Sequence, residues 1–435
     1  MGRRSGIVLI ICLVLSLFTG CYDSREIDDL TYIIALGLDK GAIEPLRLTL
    51  QYAIPKEMGG GGGGGEGGGK GGSKSIGSIT IECPTLYAGL NMANGFIGKK
   101  VNASHAVAIV ISEELAKEGV RKYIHAAERG REFRPNMYIV VSNSSAEEYL
   151  KQIKPVQEVD PVKYYQLIFT AYQYTGFTPN SSYYHFYQGM TSDSEQPVAI
   201  LAGVGKYKSS KEFANIEAGT ASDKGRTPPL GGDFKAGNLP KIGDQNSEVM
   251  GLAVFNGDKF VGEMDGEDST NFIILKGYFK HAYLTIPDPE VPGYFIVLDI
   301  KQNRFPEKKV KIVGDTPQIY TRIKLEADLV SIQSGYNYED PRNLFIVENA
   351  ASAFLKEEIT KFLYRTAKDF NSDIVGFGKL AARNFLTTKQ WEDYRWLDKY
   401  KNSNFNVDVE VMIRRPGLII RTSPVVTSRN GEVGK

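Results

Sequence analysis

The sequence predicts an α+β protein of three domains, with mixed sheets and packed helices. Three observations carry that expectation. Strand-like and helix-like apolar patterns alternate up to about residue 205, and two apolar runs flank Asn256-Gly257 in the manner of a hairpin. A long stripe at spacings of three and four, comprising Val347, Ala350, Ala351, Phe354, Leu355, Ile359, Phe362, Leu363, Ala367 and Phe370, lies between strand patterns.

The elements follow in order. Residues 32–39 form a strand-like run and 46–53 alternate with period two, so the two are expected to pair as a hairpin turning near Lys40-Gly41. The tract 59–73 is almost all glycine and cannot bury a core, which makes it an inserted loop or linker. Leu86, Leu90, Ala93 and Ile97 share one helical face, and residues 107–111 read as a buried strand. Ser112-Glu113-Glu114 opens a helix with a serine cap and acids in its first turn, and Leu115, Val120, Ile124 and Ala127 supply its apolar face. Residues 138–141 return as a strand, and the tyrosine-rich stretch 164–187 is expected to be helical with a packed aromatic face.

Residues 207–246 are polar and glycine-rich, with Pro228-Pro229 and Gly231-Gly232, and are expected to form an exposed loop. Residues 249–255 and 259–262 then form the arms of the hairpin, whose Asn-Gly pair would take positive φ at both turn positions. Strands are expected at 294–300, 309–313, 318–329 and 406–413, with the long amphipathic helix lying on their sheet. A shorter helix is expected to carry Ala381 and Phe385 and to extend to Trp391 and Trp396. The resulting division is a leader 1–20, an N-terminal α/β-type domain 21–196, a small β-containing middle domain 197–272, a C-terminal α+β domain 273–420 and a tail 421–435.

The leader has a defined chemistry. Arg3 and Arg4 precede an apolar run, 7–17, broken only by Ser16, and Leu17-Phe18-Thr19-Gly20-Cys21 closes it with small residues. This is the pattern of a secretory signal ending in a lipobox. Cleavage after Gly20 would leave Cys21 as an S-diacylglycerol, N-palmitoyl cysteine and place the chain outside the cytoplasm, held to a membrane by its acyl chains. The run is too short to span a bilayer, which takes roughly 20 residues, and the polar Asp23-Ser24-Arg25-Glu26 follows at once.

Composition narrows the alternatives. Apolar residues make up 42% of the chain and aromatic ones 11%, enough to fill sizeable cores. The formal net charge is +1, and loss of Arg3 and Arg4 reverses its sign, so the chain lacks the basic footprint of a nucleic-acid binder. Of three cysteines, Cys12 lies in the leader and Cys21 is the lipidation site, leaving Cys83 without a disulfide partner.

Catalytic and cofactor sets are missing from the sequence. His105, His125, His185 and His281 make no metal-ligand spacing, and no Gly-x-Ser-x-Gly elbow occurs. Residues 64–71 imitate a P-loop, but Gly71 stands where a hydroxyl must hold Mg²⁺. Gly376-Phe377-Gly378-Lys379-Leu380-Ala381 matches the dinucleotide fingerprint, yet follows a helix, so it is read as a tight turn. Asp265, Glu267 and Asp268 fall in a polar stretch after the hairpin and are read as a solvated turn. No metal and no cofactor is therefore expected.

The lipobox with Cys21-Tyr22-Asp23-Ser24-Arg25-Glu26-Ile27-Asp28-Asp29-Leu30, then Ala35-Leu36-Gly37-Leu38-Asp39-Lys40, resembles the start of the Ger(x)C family, the lipoprotein C subunits of spore nutrient germinant receptors. Gly251-Leu252-Ala253-Val254-Phe255 through Phe260-Val261-Gly262, and Asp373-Ile374-Val375-Gly376-Phe377-Gly378 followed by Trp391 and Trp396, agree in order. The resemblance implies a non-catalytic subunit of three α/β-type domains on the outer face of the spore inner membrane. It would work beside membrane A and B subunits. A rival reading is a lipoprotein that captures an amino acid or sugar itself, with Tyr164, Tyr165, Tyr172, Tyr174, Tyr183, Tyr184 and Tyr187 lining a pocket. An envelope hydrolase is a third.

Overall fold

The computed structural model describes residues 29–54, 76–155, 158, 160–209, 212, 224, 226, 228–419 and 422, together with positions 2, 6 and 7. Cys21, the rest of the lipobox and the glycine tract 59–73 lie outside these residues, as does the tail 421–435 except for 422. The protein is α+β, built on two mixed sheets.

The first sheet contains β1 (Leu30–Lys40), β2 (Leu46–Ala53), β3 (Ile76–Cys83), β4 (Lys100–Asn102), β5 (Ala108–Ser112), β6 (Tyr138–Ser142), β7 (Val198–Val204), β8 (Ser247–Asn256) and β9 (Lys259–Met264). Its order is β3-β2-β1-β5-β6-β7-β8-β9, with β4 paired to the start of β1. Strands β1, β5, β6 and β7 run parallel, and the remaining long strands are antiparallel to their neighbours. The central strands are covered on both faces, which is why the middle of β1 and most of β5 read as near-continuous apolar runs. Ile33, Leu36 and Leu38 of β1 enter a core with the helices Leu86–Ile97, Glu113–Glu118, Arg121–Arg129 and Tyr183–Met190. Ile34 and Ala35 face the opposite core, filled by the helices Ala146–Gln152 and Pro161–Thr170.

The hairpin between β8 and β9 forms where expected, but its turn differs. Asn256 pairs with Lys259, so the turn residues are Gly257 and Asp258. Only Gly257 has positive φ, 63°, the requirement of a II′ turn at its first central position rather than of an Asn-Gly I′ turn.

The second sheet holds β10 (His281–Pro287), β11 (Phe295–Lys301), β12 (Glu307–Val313), β13 (Thr316–Ile332) and β14 (Asn404–Arg415). The long β13 pairs with β12 along its first half and β11 along its second, and β14 runs parallel along its opposite edge. The expected amphipathic helix is present as Leu344–Lys368, with Val347, Ala351, Leu355, Ile359, Phe362, Leu363 and Ala367 buried against this sheet. Each such leucine, isoleucine or phenylalanine contributes about 1.5–3 kcal/mol by leaving water. The helix also covers the edge of β14: Ser352 Oγ accepts from Val411 N–H at 3.0 Å and Glu348 Oε1 from Ile413 N–H at 2.8 Å. Edge amides satisfied in this way are closed to further strands.

The expected limits of a middle domain do not coincide with breaks in the fold. β7 begins at Val198 and is hydrogen-bonded to β6 and β8, so the nine-stranded sheet runs across residue 197. Residue 272 falls inside the helix Gly266–Lys276, which joins the two sheets. Val198, Leu252, Val254 and Met264 of the first sheet share one core with the strands of the second. Local hairpin patterns say where strands are, but not whether they extend an existing sheet.

Candidate functional site

Cys21, the residue to which the sequence assigns chemistry, lies outside the described residues. Cys83 is a free, buried thiol whose ionisation is pushed up by burial, then by the nearby Glu44 and Glu82 carboxylates. The histidines are scattered: His105 meets Tyr32, His125 meets Tyr187, His185 bonds Ser182 and His281 lies 3.4 Å from Asp299. No group of three or more His, Cys, Asp or Glu placed to hold a metal occurs among the described residues.

The tyrosines do not converge on one pocket. Tyr165 and Tyr183 are buried in cores on opposite faces of the first sheet, bonded to Gln51 and to Ile124 O. Tyr172 packs on Tyr278, Tyr187 stacks on Tyr183, and Tyr174 and Tyr184 are exposed.

The acids after the hairpin overturn their expected solvation. Asp265 and Asp268 are 0% exposed and Glu267 is 8% exposed. Asp265 caps the helix Gly266–Lys276, accepting from Asp268 N–H at 2.9 Å, and that helix is buried from Gly266 to Leu275. Two segments supply countercharge. Lys224 Nζ stands 3.0 Å from Asp268, 3.3 Å from Glu358 and 3.6 Å from Glu267. Arg226 reaches Asp233 at 3.1 Å, Glu267 at 3.1 Å and Glu358 at 2.8 Å, while Arg365 of the long helix meets Asp268. The 207–246 segment is therefore not simply exposed. Leu230, Asp233 and Ala236 are buried, and Gly232 O and Phe234 O accept from Glu267 N–H and Gly266 N–H.

The electrostatics follow from burial. Desolvation, reinforced by Asp268, pushes Asp265 well above the usual carboxylate range, and desolvation likewise raises Glu267 against the pull of Lys224 and Arg226. Burial opposes the charge on Lys224, yet the carboxylates of Asp268, Asp265 and Glu267 hold it above its ordinary value. Glu358 stays below its ordinary value because Lys224 and Arg226 outweigh its desolvation. The cluster is an ionic clasp binding three separate segments together.

A second buried carboxylate is satisfied differently. Asp373 Oδ1 accepts from Gly376 N–H at 2.9 Å and Phe377 N–H at 3.0 Å, and Oδ2 accepts from Gly378 N–H at 2.8 Å and Trp396 Nε1–H at 2.9 Å. The amides of the dinucleotide-like glycine turn are thus occupied by the protein's own carboxylate, confirming a structural turn. Gly376 has φ 82°, and a Cβ on Gly378 would lie 2.6 Å from the Trp396 ring. Burial still pushes Asp373 up to about 6. Trp391 Nε1–H donates to Asp193 at 2.7 Å and Gln196 N–H to Asp373 O at 2.9 Å, so this turn is tied to the segment leading into β7. The sequence places Asp373, Trp391 and Trp396 in one block, and the structure brings them together. It gives no local sign of Asp193, Lys224, Arg226, Glu358 or Arg365 as their partners or as members of the clasp.

Comparison with known proteins supplies the family. The family described as "Spore germination protein N-terminal domain" matches residues 23–204, and "Spore germination B3/GerAC like, C-terminal" matches residues 250–417. The two matches meet within the first sheet, one ending at β7 and the other covering most of β8. Spore germination protein KC of Bacillus subtilis (strain 168) is 24% identical over 98% of each chain. Putative spore germination protein YfkR of the same organism is 22% identical over 95% of this chain and 96% of its own. The crystal structure of the GerBC protein aligns with a TM-score of 0.47 and 13% identity, covering 87% of this chain and 96% of that one. The chain belongs to the GerAC-like family of spore germination proteins, the C subunits of germinant receptors.

Proposed function

We propose that this protein is a non-catalytic lipoprotein subunit of a spore nutrient germinant receptor. Acylated Cys21 anchors it to the outer face of the spore inner membrane, where it acts through contacts with the membrane A and B subunits. The observation that carries the reading is the lipobox ending at Cys21 in a chain that matches both GerAC-like regions. No helix among the described residues is long and apolar enough to cross a membrane, which leaves membrane attachment to the lipid in this reading. The two polar clusters support a scaffold, since their carboxylates are engaged within the fold. Metabolic labelling with palmitate, followed by membrane fractionation, tests the anchor. The parent chain is expected to carry label and sediment with membrane, and Cys21→Ala to lose both and to germinate poorly in response to nutrient. Equal labelling of the two chains, or normal germination of the variant, would refute it.

A further inference from the structure

The chain's route to its anchor picks out one end of the first sheet. Leu30 opens β1 only a short way after Cys21, and even a fully extended connection between them spans no more than about 30 Å. The far end of β1, at Lys40, lies about 33 Å beyond. At the near end, Lys100 pairs with Leu30 at the start of β4, and the His105 ring meets Tyr32 edge-on with centroids 5.0 Å apart. A crevice of about 610 Å³ opens beside them at the amino ends of β5 and β6, and its lining includes His105, Arg134, Asn136, Tyr138, Lys163 and Leu167.

Cations and apolar side chains share this end. Lys99, Lys100, His105, Arg134 and Lys163 are all exposed. Lys163 meets Glu158 at 2.9 Å, but Lys99, Lys100 and Arg134 enter no ion pair among the described residues. Phe96, in the last turn of the helix Leu86–Ile97, is 56% exposed, and Leu167 of the helix Pro161–Thr170 is 51% exposed. Those helices cover opposite faces of the sheet, so an apolar side chain flanks the strand ends on either face. Projecting apolar groups among cations suit an anionic bilayer surface: the cations meet lipid phosphates and the apolar side chains enter the headgroup region. The connection to Cys21 carries Asp23, Glu26, Asp28 and Asp29 against Arg25, so the attraction has to come from the folded part. We infer that this end of the first sheet rests on the membrane surface and binds anionic phospholipid headgroups. The inference rests on the anchoring role of Cys21 and adds the face and the lipid it meets.

Hydrogen exchange of the mature acylated chain, reconstituted in vesicles of phosphatidylcholine alone or mixed with phosphatidylglycerol, tests it. Amides of residues 96–101, 105–107 and 163–167 are expected to exchange more slowly in the mixed vesicles. Lys99→Glu combined with Lys100→Glu should lose that difference at 96–101, and Arg134→Glu should lose it at 105–107. Phe96→Trp gives a readout free of charge reversal. Brominated acyl chains in the mixed vesicles should quench its emission beyond the level seen for the parent chain, whose Trp391 and Trp396 are buried. Failure to attach to either vesicle would strike the anchor and this inference with it. Attachment with equal exchange in the two lipids, slowing confined to other residues, slowing that survives the charge reversals, or no added quenching at position 96 would each overturn this inference alone.

Discussion

The ionic clasp around Asp268 and the turn around Asp373 bury carboxylates to the same degree, yet compensate them by different means. Asp373 is met by three backbone amides within five residues and by one indole. Asp268 is met by Lys224 and Arg365, which lie far from it in sequence on separate segments. The first arrangement is local and adds no further charge to the interior. The second fixes the 224–236 segment, the junction helix Gly266–Lys276 and the long helix Leu344–Lys368 relative to one another, at the cost of desolvating several ions. A fold can thus use one residue type to shape a turn or to join distant segments.

The clasp should show the larger response. Asp268→Ala strands Lys224 and Arg365 beside fewer acids, and breaking a buried pair from one side costs about 3–5 kcal/mol. Denaturant unfolding is expected to show that loss, and a change below about 1 kcal/mol would mean that water or rearrangement compensates the remaining cations.

Asp373→Asn keeps the shape of its side chain but turns one acceptor into a donor facing N–H groups. A loss of about 1–3 kcal/mol is expected. Its dependence on pH separates this site from the clasp. Burial raises folded Asp373 from 3.8 to about 6, so the native state holds a proton that the unfolded state releases between those values. Its contribution to stability is therefore fully present below about pH 4 and falls as pH rises to about 6. The amide of the variant cannot titrate, so the difference between the two unfolding free energies should change across that window and level off above it. A constant difference would show that Asp373 is ionised throughout.

This contrast also explains what was legible in the sequence. The α+β class, the β1–β2 and β8–β9 hairpins and the 344–368 helix were readable because period and turn chemistry are local. The Asp373 turn was half readable: its glycines sit beside it, while the groups that bar a side chain from Gly378, the Ser194 carbonyl oxygen and the Trp396 ring, come from elsewhere in the chain. The clasp was not readable, because Asp265, Glu267 and Asp268 look like any polar turn until Lys224 and Arg226 are folded over them. Arg226 comes from a glycine-rich stretch whose composition alone signals an exposed loop. The continuity of the first sheet through β7, β8 and β9 escaped for a related reason, since pairing partners lie outside any local window.

The smallest expected effect is the sharpest control on whether distance or burial sets the worth of an ion pair here. Arg322 and Asp408, on adjacent strands β13 and β14, lie 2.8 Å apart, the same separation as Arg226 and Glu358. Both side chains of the sheet pair are 57% exposed, whereas those of the clasp pair are 21% and 4% exposed. Water and salt screen the exposed pair, and holding two mobile side chains together costs entropy, so Asp408→Ala should change stability by no more than about 0.5 kcal/mol. If it matched the loss from Asp268→Ala, contact distance would be the governing variable, and the cost assigned to opening the clasp would have to come from packing of the junction helix rather than from its charges.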